Sequence, residues 1–215
     1  MLRGIFGAGG CGRGIMPLLR WQFTDAAPDS FVFVDDALAG EDINGHAVLS
    51  FDQFVDEGSR DKSIALAVAD PATRKTIANR CCASGLSFFN IASATAIKMD
   101  DVQIGEGALI SPHVVLTSNI RIGRHFHANI NSYVEHDCVI GDFVTFAPGV
   151  QCNGNVHIGD GAYIGAGAMI RQGRSGSPLR IGKGAIVGMG AVVLGDVPDG
   201  VTVVGNPALI MQRAS

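Results

Sequence analysis

Residues 104–170 read IGEGALISPHVVLTSNIRIGRHFHANINSYVEHDCVIGDFVTFAPGVQCNGNVHIGDGAYIGAGAMI. Every sixth residue of this stretch is apolar, twelve times in succession: Ile104, Ile110, Leu116, Ile122, Ala128, Val134, Ile140, Phe146, Cys152, Ile158, Ile164 and Ile170. The next residue is often Gly, and the fifth of the unit is mostly small or β-branched, as at Ala108, Val114, Ser132 and Val144. A period of eighteen overlies the six, since Ile104, Ile122, Ile140 and Ile158 each precede Gly. Six matches neither a helical stripe nor an amphipathic strand. A short fixed period means stacked repeats. One inward residue per six and three units per eighteen describe a triangular coil with three flat sides. The inward residue fills the axis, and the small fifth residue is expected to help turn the corner. A Gly-rich sandwich with chance spacing is the bland alternative, and twelve consecutive matches argue against it.

Outside this stretch the period fades. Ile91 and Ile97 hint at it, with an expected one-residue register shift at Asp100-Asp101. The polar segment 171–180 (RQGRSGSPLR) interrupts it and carries three arginines that suit phosphates or plain solvation. Ile181-Gly182 and Val187-Gly188 resume it. The first ninety residues read differently. Strands are predicted at 2–6, 31–34, 64–68 and 86–89, and helices after Gly12, at 51–55 capped by Ser50, and from Pro71 to about residue 79. Alternating strands and helices give a small parallel α/β sheet. The chain thus divides into an α/β domain at 1–90 and an all-β coil domain at 91–215.

Gly7-Ala8-Gly9-Gly10-Cys11-Gly12 follows the first strand and matches G-x-G-x-x-G. Such a turn lets backbone approach a phosphate at a helix N-terminus. Asp35-Asp36 closes the second strand, where a ribose or base would be met. Ninety residues hold one half of a dinucleotide fold, so a mononucleotide or a nucleotide-linked sugar fits better than NAD. A Gly-rich turn used only for close packing is the alternative.

The composition is 47% hydrophobic and 17% charged with a net charge of −4, and it shows no basic stripe, so nucleic acid is not expected as a partner. No apolar run approaches a membrane span. Five cysteines without CxxC suggest neither a disulfide framework nor a zinc site, and a cytoplasmic location follows by default. Glu135-His136-Asp137 is the clearest chemical motif, because a carboxylate beside His can orient the ring and stabilise the imidazolium. His125 and His127 lie two apart and could share a face. With His113 or His157 they form the rival reading, a zinc-dependent carbonic anhydrase, for which no third His has a clear phase. His46 reads as a turn residue. Cys152 falls on the inward register, and Cys138 has no neighbouring cation to make a thiolate. There is no G-x-S-x-G.

The six-residue repeat, the late loop and Val204-Gly205-Asn206-Pro207-Ala208 resemble the hexapeptide-repeat acyltransferases, which fold as left-handed parallel β-helices. The glycine turn, Phe33-Val34-Asp35-Asp36 and Glu135-His136-Asp137 resemble their nucleotide-sugar N-acetyltransferase branch. That branch includes bacillosamine and perosamine N-acetyltransferases and similar sialic acid O-acetyltransferases. The resemblance spans essentially the whole chain. It implies acetyl-CoA as co-substrate with no metal, and a homotrimer with active sites between neighbouring coils. It also implies an activated amino-sugar as acceptor, UDP-linked first, GDP- or dTDP-linked otherwise. By motif His136 is the expected base and Asp137 its orienting carboxylate. Gly9, Gly10, Cys11, Asp35, Asp36, Asp70, Arg74 and Asn129 are expected on the nucleotide-sugar, and Thr145, Gly154, Ala166 and Gly188 on CoA. The chain departs from the pattern at Cys11 and Thr145, where many relatives carry His, and at Pro71, where they often have Asn. O-acetylation of a sugar and non-catalytic binding of a nucleotide-sugar are the alternative readings.

Overall fold

A computed structural model describes residues 1–58 and 61–211. Its first part is a six-stranded sheet. The strands are β1 (Leu2–Phe6), β2 (Phe31–Val34), β3 (Asp42–Ile43), β4 (His46–Leu49), β5 (Lys62–Leu66) and β6 (Ser87–Phe88), in the order β3-β4-β2-β1-β5-β6. All neighbours are parallel except the β3–β4 hairpin, which turns through Asn44 and Gly45. That hairpin corrects the expectation for His46, which is a buried strand residue. Its ring meets Phe33 edge-on at 6.1 Å, and its Nδ1 lies 3.2 Å from the Phe31 carbonyl. Three helices connect the strands: α1 (Gly10–Gln22), α2 (Phe51–Asp56) and α3 (Pro71–Ala83). Ser50 and Gln53 form a reciprocal capping box on α2. Asp70 caps α3 through Thr73 N–H at 2.7 Å.

From Ile91 onward, two- and three-residue strands stack in parallel on three faces. The first face runs through Ile91–Ala92, Leu109–Ile110, His127–Ala128, Thr145–Phe146, Tyr163–Ile164, Ile186–Val187 and Thr202–Val204. The second holds Ile97–Lys98, Val115–Leu116, Tyr133–Val134, Gln151–Cys152, Met169–Ile170 and Val192–Val193. The third holds Val102–Ile104, Ile120–Ile122, Val139–Ile140, Val156–Ile158 and Leu179–Ile181. Up to the polar excursion each strand residue pairs with the one eighteen later, as Leu116 does with Val134 and Val134 with Cys152; across the excursion the interval lengthens, as from Val156 to Leu179. The six-residue series from Ile110 to Ile170 is buried along the axis.

Two expectations change. There is no register shift at Asp100-Asp101: Ala92 and Lys98 occupy the axial register, while Ile91 and Ile97 point outward. The corner is turned one residue earlier than expected. At each unit from Asp101 to Gly167 the residue three after the axial one has positive φ: Gly at 107, 149, 161 and 167, and Asn, Asp, His or Phe elsewhere. Asn and Asp tolerate that conformation better than other side chains, because their short polar groups bond locally.

The α/β domain rests on the outer side of the first face. Ile91 and Leu109 join the core formed by Ile15, Met16, Leu18 and Leu19 of α1. Gln22 accepts from Ala92 N–H and donates to the Asn90 carbonyl. Further along, His125 stacks on Phe143 at 4.8 Å and meets Phe88 edge-on at 4.5 Å. At the centre of the seam lies Arg74, fully buried. Its guanidinium donates to the carbonyls of Val68 (2.6 Å) and Ala69 (3.1 Å) on one side. On the other it donates to the Phe143 carbonyl (2.8 Å) and the Thr145 hydroxyl (2.9 Å). None of these partners is a carboxylate, and burial pulls Arg74 down to about 10. Burial and the same guanidinium hold His125 at about 4 and His127 well below the ordinary histidine range, so both rings are neutral.

Replacing Arg74 by Met keeps the apolar stem and strips the donors from carbonyls of both domains. The expected cost is about 2–4 kcal/mol of unfolding free energy, read from urea midpoints. A variant within about 0.5 kcal/mol of the parent would mean that the seam does not depend on this guanidinium.

Candidate active site

The site residues fall into three groups, one in the α/β domain and two on the coil. The first is at the carboxyl ends of the parallel strands, where β1 passes into α1. Gly7 has φ +98° and Gly12 is packed so closely that a Cβ would lie 1.8 Å from the Gly7 carbonyl oxygen. Gly9 and Gly10 face open space instead. The turn therefore uses two glycines for its own geometry and leaves two for a ligand to approach. The N-cap, Gly9, has no side-chain partner, and the first turn of α1 has no acid. Its N–H groups and positive end suit a phosphate. Asp35 braces the turn by accepting from Ala8 N–H at 3.0 Å and Ala37 N–H at 3.1 Å. Asp36 accepts from Phe51 N–H at 2.7 Å and pairs with Arg80 at 2.8 Å, which lowers its carboxyl below the ordinary range. Both oxygens of each acid thus have an intramolecular partner. Cys11 is exposed beside the turn, its thiol raised by the surrounding protein against the pull of Arg74.

Three expected ligand contacts are instead engaged in the framework. Arg74 is sealed in the seam. Thr145 is buried, its hydroxyl donating to Ala69 at 2.8 Å while accepting from Arg74. Asp70 is a helix cap. The signal that could have flagged Thr145 is its phase: it is the outward residue of a first-face strand, eighteen from His127, on the face the α/β domain covers.

The second group lies at the vertex between the second and third faces. His136 Nδ1 is 2.8 Å from Asp137 Oδ2, and the two side chains are 45% and 48% exposed. With Asp137 as acceptor, the neutral ring carries its proton on Nδ1 and presents Nε2 as the basic atom. Hydrogen bonds from His136 and then from Asn119 hold the Asp137 carboxyl below its ordinary range. Gly154 lies one coil further along, and a Cβ there would be 2.6 Å from His136 Cε1 and Nε2. Gly154 N–H donates to Glu135 Oε2 at 3.2 Å. Gly173 N–H donates to the Gly154 carbonyl at 2.9 Å, which sets the polar excursion over the same vertex. Arg171, Arg174 and Ser177 line a groove of about 520 Å³ there. Arg180 turns away, into a second groove of about 520 Å³ with His157 and Lys183 on the third face.

The third group is at the vertex between the first and second faces, where exposed Asn129 shares a ladder with Ala147, Gly165 and Gly188, and Ala166 follows Gly165 by one residue. A single chain does not unite these groups. The α/β domain covers the first face, and His136 lies at the vertex opposite it. Buried Cys138 points toward the Asn153 carbonyl at 3.3 Å and is lowered by a hydrogen bond from Cys152, whose own thiol is raised. Neither is open to a substrate. His125 and His127 are packed in the seam, and no group of three metal-ligating side chains occurs among the described residues.

No protein-family model matches the chain. It is 48% identical over 215 residues to the GDP-perosamine N-acetyltransferase of Escherichia coli O157:H7, covering 99% of this chain and 97% of that one. The structure of WeeI from Acinetobacter baumannii AYE superposes with a TM-score of 0.97 at 52% identity, covering 98% of this chain and all of that one (100%). A mutant of the perosamine N-acetyltransferase from Caulobacter crescentus, in complex with CoA and GDP-perosamine, gives a TM-score of 0.86 at 25% identity over 99% and 97% of the two chains.

The absence of a side chain at Gly154 is what allows the His136 ring its position. Gly154→Ala is expected to leave the melting temperature within a few degrees and to lower turnover roughly 10- to 100-fold by displacing the imidazole. Steady-state rates of a folded Gly154→Ala protein equal to the parent would show that the ring position does not matter.

Proposed function

This chain belongs to the hexapeptide-repeat nucleotide-sugar N-acetyltransferases, left-handed β-helix enzymes that use acetyl-CoA, and from that premise we propose that it acetylates the amine of a GDP-linked 4-amino-sugar of the perosamine type. GDP is chosen over the UDP first expected with support from the relatives whose names carry GDP-perosamine. The observation that carries the proposal is the His136–Asp137 pair, held at 2.8 Å over the space left by Gly154.

In the proposed reaction the glycine turn takes the diphosphate, with Gly9 and Gly10 allowing backbone contact. The amine nitrogen attacks the thioester carbonyl carbon, and the C–N bond forms as the carbonyl becomes an oxyanion. Collapse of that intermediate breaks the C–S bond and releases CoA thiolate. His136 Nε2 takes the proton from the nitrogen, Asp137 stabilises the imidazolium, and the same proton is available to the departing sulfur. No acyl-enzyme is required. Acetyl-CoA would run along the coils past Gly154, Ala166 and Gly188, toward the arginines of the excursion.

The distribution of these groups over opposite sides of the coil supports a homotrimer. His136 of one chain would meet the glycine turn and Asn129 of its neighbour, which no folding of one chain achieves. Cyclic assembly makes every such junction equivalent.

Thiol release from acetyl-CoA against GDP-, UDP- and dTDP-4-amino-sugars and free sialic acid tests the acceptor. Turnover should be fastest with the GDP-sugar. Turnover confined to sialic acid would establish O-acetylation, and acetyl-CoA binding with no turnover would favour a binding protein. His136→Ala should lower the rate by about 10²- to 10⁴-fold with little change in the KM for the nucleotide-sugar. Site sharing has its own test. Gly10→Glu blocks the turn by charge, and His136→Ala removes the base, so each homotrimer should be inactive. Trimers re-formed from a 1:1 mixture should recover about a quarter of parental activity, because one junction in four then pairs an intact base with an intact turn. No recovery would place the whole site within one chain.

A further inference from the structure

We infer that Asn119 is a positioning residue for the reaction, the donor that locks the Asp137 carboxylate onto the His136 ring. This inference rests on the reading of His136 as the base. Asn119 lies one coil below Asp137, eighteen residues earlier. Its Nδ2 donates to Asp137 Oδ1 at 3.2 Å, while Asp137 Oδ2 faces His136 Nδ1 at 2.8 Å. Each carboxylate oxygen therefore has one partner, and the three side chains form a chain Asn119–Asp137–His136 across two coils. Asp137 is half exposed, so packing alone does not fix its rotamer. An exposed carboxylate with one partner turns freely about its side-chain bonds. With two partners on opposite sides, its plane is set.

The vertex makes this arrangement possible. Asn119 and Asp137 both occupy the left-handed position, with φ +58° and +59°, as does Asp101 below them at +50° and Asn155 above at +57°. The backbone of this ladder therefore accepts Asp as readily as Asn. An Asn at 119 is needed there for its N–H donors, which Asp lacks. The main-chain bond from Asp137 N–H to the Ser118 carbonyl at 3.1 Å keeps the two rungs in register.

That equivalence supplies a test which a merely structural role would not pass. Asn119→Asp keeps the shape and the tolerance for positive φ, removes the donor and sets a second carboxylate against Asp137. Asn119→Gly removes the donor at no conformational cost. Both should melt close to the parent. Turnover should fall about 3- to 10-fold in Asn119→Gly and more in Asn119→Asp, with KM for both substrates unchanged. The double variant Asn119→Asp/Asp137→Asn restores a donor–acceptor chain, since an amide at 137 can donate to the new carboxylate and still accept from the ring. It should be faster than Asp137→Asn alone, because the amide at 137 is again held from both sides. Parental turnover in Asn119→Asp, an effect on KM alone, or a double variant in which the two losses multiply would each overturn the inference. If His136→Ala loses its activity while Asn119→Asp does not, only the role of Asn119 fails. If His136→Ala is fully active, the reading of the base fails with it.

Discussion

The structure depends on one constraint: a single apolar side chain must enter the axis every sixth residue, because each coil stacks directly on the one before. Parallel strands two residues long have little stability alone, and their backbone bonds are satisfied only by the coils above and below. Displacing one unit by a residue would bring an outward side chain into the axis and leave an apolar one in water. The same stacking takes the chain through a left-handed residue at each vertex from Asp101 to Gly167. Glycine fills some of these positions, and Asn, Asp or His fills most of the rest. The vertices are thus where a β-helix accumulates short polar side chains in vertical ladders. The His136–Asp137 pair and the Asn119 beneath it are one use of a ladder that the backbone requires for other reasons.

A second consequence concerns the outer faces. Outward residues are free to vary unless something covers them. On the first face Ile91, Leu109, His127 and Thr145 are buried, because the α/β domain sits there. Arg74 makes that contact specific. Its carbonyl and hydroxyl partners come from both domains, and no carboxylate is among them. A guanidinium holds this position better than an ammonium, since its planar fork can serve several acceptors and is less strongly hydrated. Phe143 adds to the seam from a strained place, a bulky residue at φ +58° whose ring stacks on His125.

The axial positions were legible in the sequence because they repeat. Strands β1 and β2, the cap Ser50, the start of α3 at Pro71 and the glycine turn were legible because local chemistry specifies them. The outward residues were not, since nothing in a period of six says which face another domain will cover. Arg74 and Thr145 matched a substrate-binding pattern, yet a contact 71 residues apart in sequence unites them in the seam. The first coils misled for a related reason. Ile91 and Ile97 are apolar and six apart, but Ile91 serves the α/β domain and Ile97 faces outward, half exposed, while Ala92 and Lys98 hold the axis. Burial by a neighbour and burial in the axis leave the same mark on a sequence.

The exposure of His136 connects the fold to the proposed assembly. A histidine and an aspartate half in water interact through a medium that screens them, and water competes for each lone pair. Bringing an adjacent chain against that vertex would exclude water, strengthen the bond from Nδ1 to Asp137 and set Nε2 against a bound amine. The α/β domain cannot do this for its own chain, since it is fixed on the opposite face by Arg74 and the α1 contacts. The seam that gives one chain its rigidity therefore separates His136 from the glycine turn. On this reading, assembly between chains is a chemical requirement of the site, and the rigid seam lets a neighbouring copy present the acceptor amine in a fixed place.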